Sequence, residues 1–148
     1  MKSVKLIVPL VLLVLGGVVV VWFISGAQAA QVQPEAQAAP SANVTQLISE
    51  NLPDLLGKEG VMITVEYPPG GSDPIHKHNA DVFVYVLQGS VIMQLRGGEE
   101  RRLTPGQTFH EGPNDVHVVS RNASATEPAK FAVFFVKDIG APVLLPAN

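Results

Sequence analysis

The chain has 148 residues, no cysteine and a formal charge of −3, and 47% of it is hydrophobic. That length gives one domain with one core, and the missing cysteines exclude disulfide support. Setting aside Lys2 and Lys5 leaves eight basic against thirteen acidic residues, a net −5 that argues against nucleic acid as a partner.

The first element is apolar. Leu6 to Ile24 is a run of nineteen residues without a charge, preceded by Lys2 and Lys5 and followed by Ala27-Gln28-Ala29. A positive start, an apolar stretch and an Ala-x-Ala end describe a secretory signal peptide. The run is also long enough to span a bilayer as a helix, so residues 1–29 read as a signal peptide or an uncleaved membrane anchor. Either way the lysines stay in the cytoplasm and the rest is exported, periplasmic or secreted. Contact with the membrane is then expected only through this segment. Residues 30–43, AQVQPEAQAAPSAN, carry no periodic apolar face and read as a flexible linker. A domain over 44–148 follows.

It begins with VTQLISENLPDLLGKEG, read as a short helical turn or an irregular lead-in, because prolines and glycines block anything longer. From Val61 the pattern is β. VMITVEY (61–67) ends at Pro68-Pro69-Gly70-Gly71. VFVYVL (82–87) and VIMQL (91–95) flank Gln88-Gly89-Ser90, a hairpin signal. Gly97-Gly98 turns the chain into EERRL (99–103), a charged segment suited to a sheet edge. QTFHE (107–111), VHVVS (116–120) and KFAVFFV (130–137) complete the set. Six or seven short strands with regular turns predict an all-β sandwich or barrel.

The four histidines, His76, His78, His110 and His117, fall within 42 residues. On an extended strand His76 and His78 share a face, so two imidazoles can share one metal ion while Lys77 turns outward. His117 follows the Gly112-Pro113-Asn114-Asp115 turn and is the candidate third ligand. His110 and Glu111 lie on a short strand whose facing the sequence leaves open. Glu111 is a general base if it meets bound water, though a surface ion pair is the commoner fate of such a residue.

These residues resemble the cupin superfamily, in particular its small single-domain bacterial members. The first cupin motif is Gly, five residues, His-x-His, three or four residues, Glu, six residues, Gly. Gly70, His76, His78 and Gly89 stand at its places, but Val82 replaces the glutamate. In the second motif Gly106 and His117 match, while Gly112, Asn114 and Arg121 replace proline, glycine and asparagine, with Asn122 next along. The resemblance implies a jelly-roll-like β-barrel, preceded here by the hydrophobic helix, in which His76, His78 and His117 converge on a divalent metal ion. Zinc stands first, then iron, copper and manganese. The motif's carboxylate ligand is expected to be missing, which leaves open positions, an apolar pocket floored by valines 82, 84 and 86, and a preference for an anionic substrate. The expected function is that of an exported metal-binding cupin, with oxidation of a small molecule by oxygen as the leading reaction. The alternative is a binding module for a metal or ligand without turnover. A homodimer is the implied assembly.

Overall fold

The computed structural model describes residues 38–147. The expected leader or anchor over 1–29, its hydrophobic helix and residues 30–37 of the expected linker lie outside the described residues. Every regular element among the described residues is a strand. They are β1 (Asn43–Asn51), β2 (Lys58–Tyr67), β3 (His76–Lys77), β4 (Ala80–Gln88), β5 (Val91–Leu95), β6 (Arg101–Leu103), β7 (Thr108–Glu111), β8 (Val116–Asn122), β9 (Ala129–Asp138) and β10 (Leu145–Pro146).

They form two five-stranded antiparallel sheets, ordered β1-β2-β9-β4-β7 and β10-β3-β8-β5-β6. The apolar runs of β2, β4 and β9 pair side by side, and alternation along them, strict through Val86 in β4, sends side chains to the core. Cross-strand register then builds rows. Val61, Phe135, Val82 and Glu111 lie opposite one another across four strands on the inner face. Ile63, Val133, Val84 and Phe109 form the next row. Each such apolar side chain contributes about 1.5–3 kcal/mol when fully buried.

The lead-in is not helical. NVTQLISEN forms β1, an edge strand paired with β2 along its length, and every one of its residues is exposed. Its polar composition hides the strand, and pairing with a strong neighbour makes it. The hairpin expected at Gln88-Gly89-Ser90 is also corrected. β4 and β5 belong to different sheets, so this turn carries the chain from one sheet to the other. Gly89 has φ +70°, and a Cβ there would stand 2.5 Å from the Pro128 carbonyl oxygen, so this corner requires glycine. Gly97-Gly98 does close a hairpin, β5 to β6, and β6 is the expected charged edge.

A buried ion pair ties β2 to the chain's last turn. Lys137 Nζ donates to Glu59 Oε1 (2.5 Å) and to the Ala141 carbonyl (2.6 Å), and Gly140 N–H and Ser49 Oγ donate to the same carboxylate. The bond from Lys137 first, then those from Ser49 and Gly140, hold the Glu59 carboxyl at about 2, below its ordinary 4.5. A depressed carboxyl stabilises the fold above the unfolded value and loses that effect as pH falls through the folded one. The Glu59→Gln chain should therefore melt below the parent at pH 7. The gap between the two thermal melts should close between pH 4.5 and pH 2.

Candidate metal centre

Sheet pairing brings the histidines together. β3 is two residues long, yet its pairing with β8 sets His76 directly opposite His117. The two rings have centroids 5.1 Å apart. His78, two residues on and on the same face, has its ring 4.9 Å from that of His76 and edge-on to Phe135 at 5.3 Å. All three are buried, and one nitrogen from each lies within 4.8 Å of the others. Nitrogens about 2.1 Å from a shared ion stand roughly 3–4 Å apart, so a small inward adjustment closes the set.

Hydrogen bonds fix which nitrogens are free. His76 Nδ1–H donates to the Pro74 carbonyl (2.8 Å), and His78 Nδ1–H donates to the Val143 carbonyl. A carbonyl only accepts, so each neutral ring keeps its lone pair on Nε2. Burial, aided by the neighbouring imidazoles, holds His76 below the ordinary imidazole range, which keeps that lone pair unprotonated at neutral pH.

Glu111 is the residue that sequence reasoning misplaced. It is 2% exposed, not a surface ion-pair residue. Its Oε2 lies 3.3 Å from His117 Nδ1 and 3.9 Å from His78 Nε2, with an aligned hydrogen bond to neither. Burial pushes its carboxyl up, but the contact with His117 and the nearby His78 and His76 outweigh that and leave it below its ordinary value. The first motif's acid is replaced by Val82 as read from the sequence, yet Val82's cross-strand partner is Glu111. Directly opposite side chains share a face with Cβ atoms about 5 Å apart. The carboxylate is therefore beside the histidines after all, supplied from one strand over. The sequence held one signal for this: Phe109 is apolar and two residues away, so by parity Glu111 faces inward with it. His110 faces outward, exposed, 3.6 Å from Asp81 and against the ring of Phe83.

Two buried side-chain polar atoms among the described residues have no hydrogen-bond partner: His117 Nε2 and Glu111 Oε2. Leaving such an atom unpaired costs about 1–3 kcal/mol. Two of them beside two imidazole lone pairs form a donor set that a divalent cation fits. The set opens on a cavity of about 140 Å³ walled by Val82, Val84, Met93, Phe131 and Val133. Val86 is buried but does not line it, so two of the three expected floor valines do. A cavity of this size holds a molecule as large as benzene.

β8 carries a bulge. Gln94 pairs with Val119 and Leu95 with His117, so β8 spends two residues where β5 spends one. The extra residue resets parity, and His117, Ser120 and Asn122 are all buried. It also accounts for the second motif's displaced asparagine. Asn122 Nδ2 donates to the carbonyls of Pro68 and Glu127, and its Oδ1 accepts Ser124 N–H, which is a structural role.

A family model described as "Cupin domain" matches residues 63–136. No curated protein matches. A cupin domain of Bordetella pertussis Tohama I is similar at 22% identity and TM-score 0.54, over 68% of this chain and 97% of that one. A cupin-2 domain of Rhodospirillum rubrum is similar at 19% identity and TM-score 0.59, over 78% and 72%. The DMSP lyase DddQ of Ruegeria pomeroyi DSS-3 is similar at 22% identity and TM-score 0.57, over 78% of this chain and 55% of the lyase, so the chain spans about half of that enzyme. These likenesses show a common fold, the jelly-roll of two antiparallel sheets.

Proposed function

The chain belongs to the cupin family, and from that premise we propose that it is an exported, metal-dependent enzyme that converts one small molecule inside its barrel. The observation that carries this is the pair of unpaired buried atoms, His117 Nε2 and Glu111 Oε2, beside the free nitrogens of His76 and His78. A structural role for these histidines would leave them satisfied.

His76, His78 and His117 would hold the ion. A divalent ion bound there supplies Lewis acidity and, as iron or copper, reactivity toward oxygen. The protein does the rest. The Pro74 and Val143 carbonyls hold two rings in one tautomer. The valine and phenylalanine walls exclude water and seat an apolar body. Glu111, a carboxylate within reach of the cavity, takes a proton from the bound molecule. Its charge also lowers the demand for an anionic substrate that a purely neutral ligand set would create.

Oxidation by oxygen remains the leading reaction class. Proton abstraction by Glu111, giving isomerisation or elimination, is the second, and the place of that carboxylate in the cavity lining favours it. The fold likeness to a lyase does not choose between them. Elemental analysis of protein purified without chelator or affinity metal, with an oxygen-consumption screen, tests the proposal. Near-stoichiometric iron, copper or manganese carries oxidation, and zinc carries proton transfer. Absence of any metal sinks the enzyme reading.

Export rests on Lys2, Lys5, the apolar run Leu6–Ile24 and Ala27-Gln28-Ala29. Its test is the N-terminal residue of the mature chain in a fractionated cell. We place the homodimer on the outer face of the β1-β2-β9-β4-β7 sheet. There Ile48, Met62, Phe134 and Phe83 lie opposite one another in a row, each at least 36% exposed. An apolar row across four strands is a surface that a second copy would cover. Phe134→Asp should halve the sedimenting mass without moving the metal content, and an unchanged mass sinks this placement.

A further inference from the structure

A second polar cluster opens on the same cavity and has no part in the chemistry above. Tyr67, on β2, is fully buried, and its hydroxyl lies 2.5 Å from Asp73 Oδ2 and 2.6 Å from Ser120 Oγ. A carboxylate only accepts, so the phenol donates to Asp73. The phenol oxygen is then left to accept the Ser120 hydroxyl. Burial first, with the Asp73 charge beside it, pushes the Tyr67 phenol far up, so it keeps its proton.

Every proton of this trio is thus committed inside it. Asp73 and Ser120 line the cavity, Tyr67 does not. What the two lining residues have left to offer is acceptors: Asp73 Oδ1 and the lone pairs of Ser120 Oγ. Ser120 reaches the cavity because the β8 bulge puts it on the same side as His117. The two are three positions apart along the strand, at most about 10 Å. The cavity lining therefore presents the three histidines and, separately, a pair of acceptors, among apolar side chains.

We propose that Asp73 and Ser120 are the second anchor of the substrate, which carries a hydroxyl or amino hydrogen-bond donor on an apolar body of about six heavy atoms. The assignment rests on the reading of this cavity as the substrate site and adds the substrate's class. A site whose polar groups are all acceptors rejects an analogue that lacks the donor, because those groups are then left unpaired. It equally disfavours an anionic group at this end, next to the Asp73 carboxylate.

Phenol and toluene test this, since they have the same number of heavy atoms and differ in the donor. The full chain, labelled with ¹³C at the methionine methyl groups, gives signals from Met1, Met62 and Met93. Among the residues lining the cavity the methionine is Met93. Its shift should saturate at a roughly 3- to 10-fold lower concentration of phenol than of toluene, the gain from one net hydrogen bond. Ser120→Ala and Asp73→Asn should each erase that preference while toluene binding stays within about twofold. A cavity that favours toluene, a preference unchanged in both variants, or a Met93 signal that neither probe moves overturns the assignment. The titrations run with and without chelator beside elemental analysis. A phenol preference in a metal-free chain keeps the anchor and sinks the metal reading, and metal without the preference does the reverse.

Discussion

His76→Ala and His117→Ala should each yield a folded chain that does not copurify with the stoichiometric metal ion expected of the parent. The reason is geometric. The two rings sit opposite each other across β3 and β8, and with His78 they supply all three histidine nitrogens of the set. Removing an outer partner of a metal ligand already costs 10–100-fold in affinity, so loss of a ligand costs more. Stability separates this from simple damage. A ligand that binds only the folded chain adds about 2.7 kcal/mol at a hundred times its dissociation constant. Chelator should therefore lower the melting temperature of the parent and leave both variants where they are. His117→Ala also removes a buried nitrogen that has no partner in the metal-free chain. That gain offsets part of the cost of the space it leaves. Retention of one equivalent of metal by both variants would falsify the site.

Glu111→Gln should weaken metal binding 10–100-fold while leaving the fold intact, since the amide keeps the shape and loses the charge. The sharper experiment exchanges two side chains. Val82 and Glu111 are cross-strand partners on the inner face, so Val82→Glu with Glu111→Val moves the acid sideways to the place the cupin motif assigns it. Val82→Glu alone puts two buried carboxylates face to face and should destabilise the metal-free chain, because like charges directly opposite repel. Glu111→Val alone should bind metal more weakly than Glu111→Gln. The double variant should recover much of the lost affinity, and the coupling is read as a double-mutant cycle by metal titration. A double variant no better than Glu111→Val would show that the acid's position on β7 matters in itself, and that Glu111 does not stand in for the motif's glutamate.

The strands that were legible are those whose own side chains demand a two-sided environment. VMITVEY, VFVYVL and KFAVFFV alternate or run apolar, and they became β2, β4 and β9. β1 was not legible because its nine residues are all exposed, and what makes them a strand is the backbone of β2. β3 and β10 have two residues each, too few for any period. Facing within a strand was readable wherever one apolar residue anchored the parity. Phe134 and Phe135, adjacent on β9, face opposite ways, the first half exposed and the second in the core against His78.

By itself the sequence determined the β class, the periodic strands, the shared face of His76 and His78, and the two motifs that assign His117 to the same site. The first three are local properties, set by spacing along one segment, and the assignment of His117 is what the resemblance to the cupins implies. The tertiary structure alone decided that Glu111 stands opposite Val82, that a bulge in β8 turns Ser120 inward, and that Gln88-Gly89-Ser90 joins two sheets instead of closing one hairpin. Register and sheet order depend on which distant strand each segment meets. That choice is made by burying the apolar faces of the whole chain together, and no single segment encodes it.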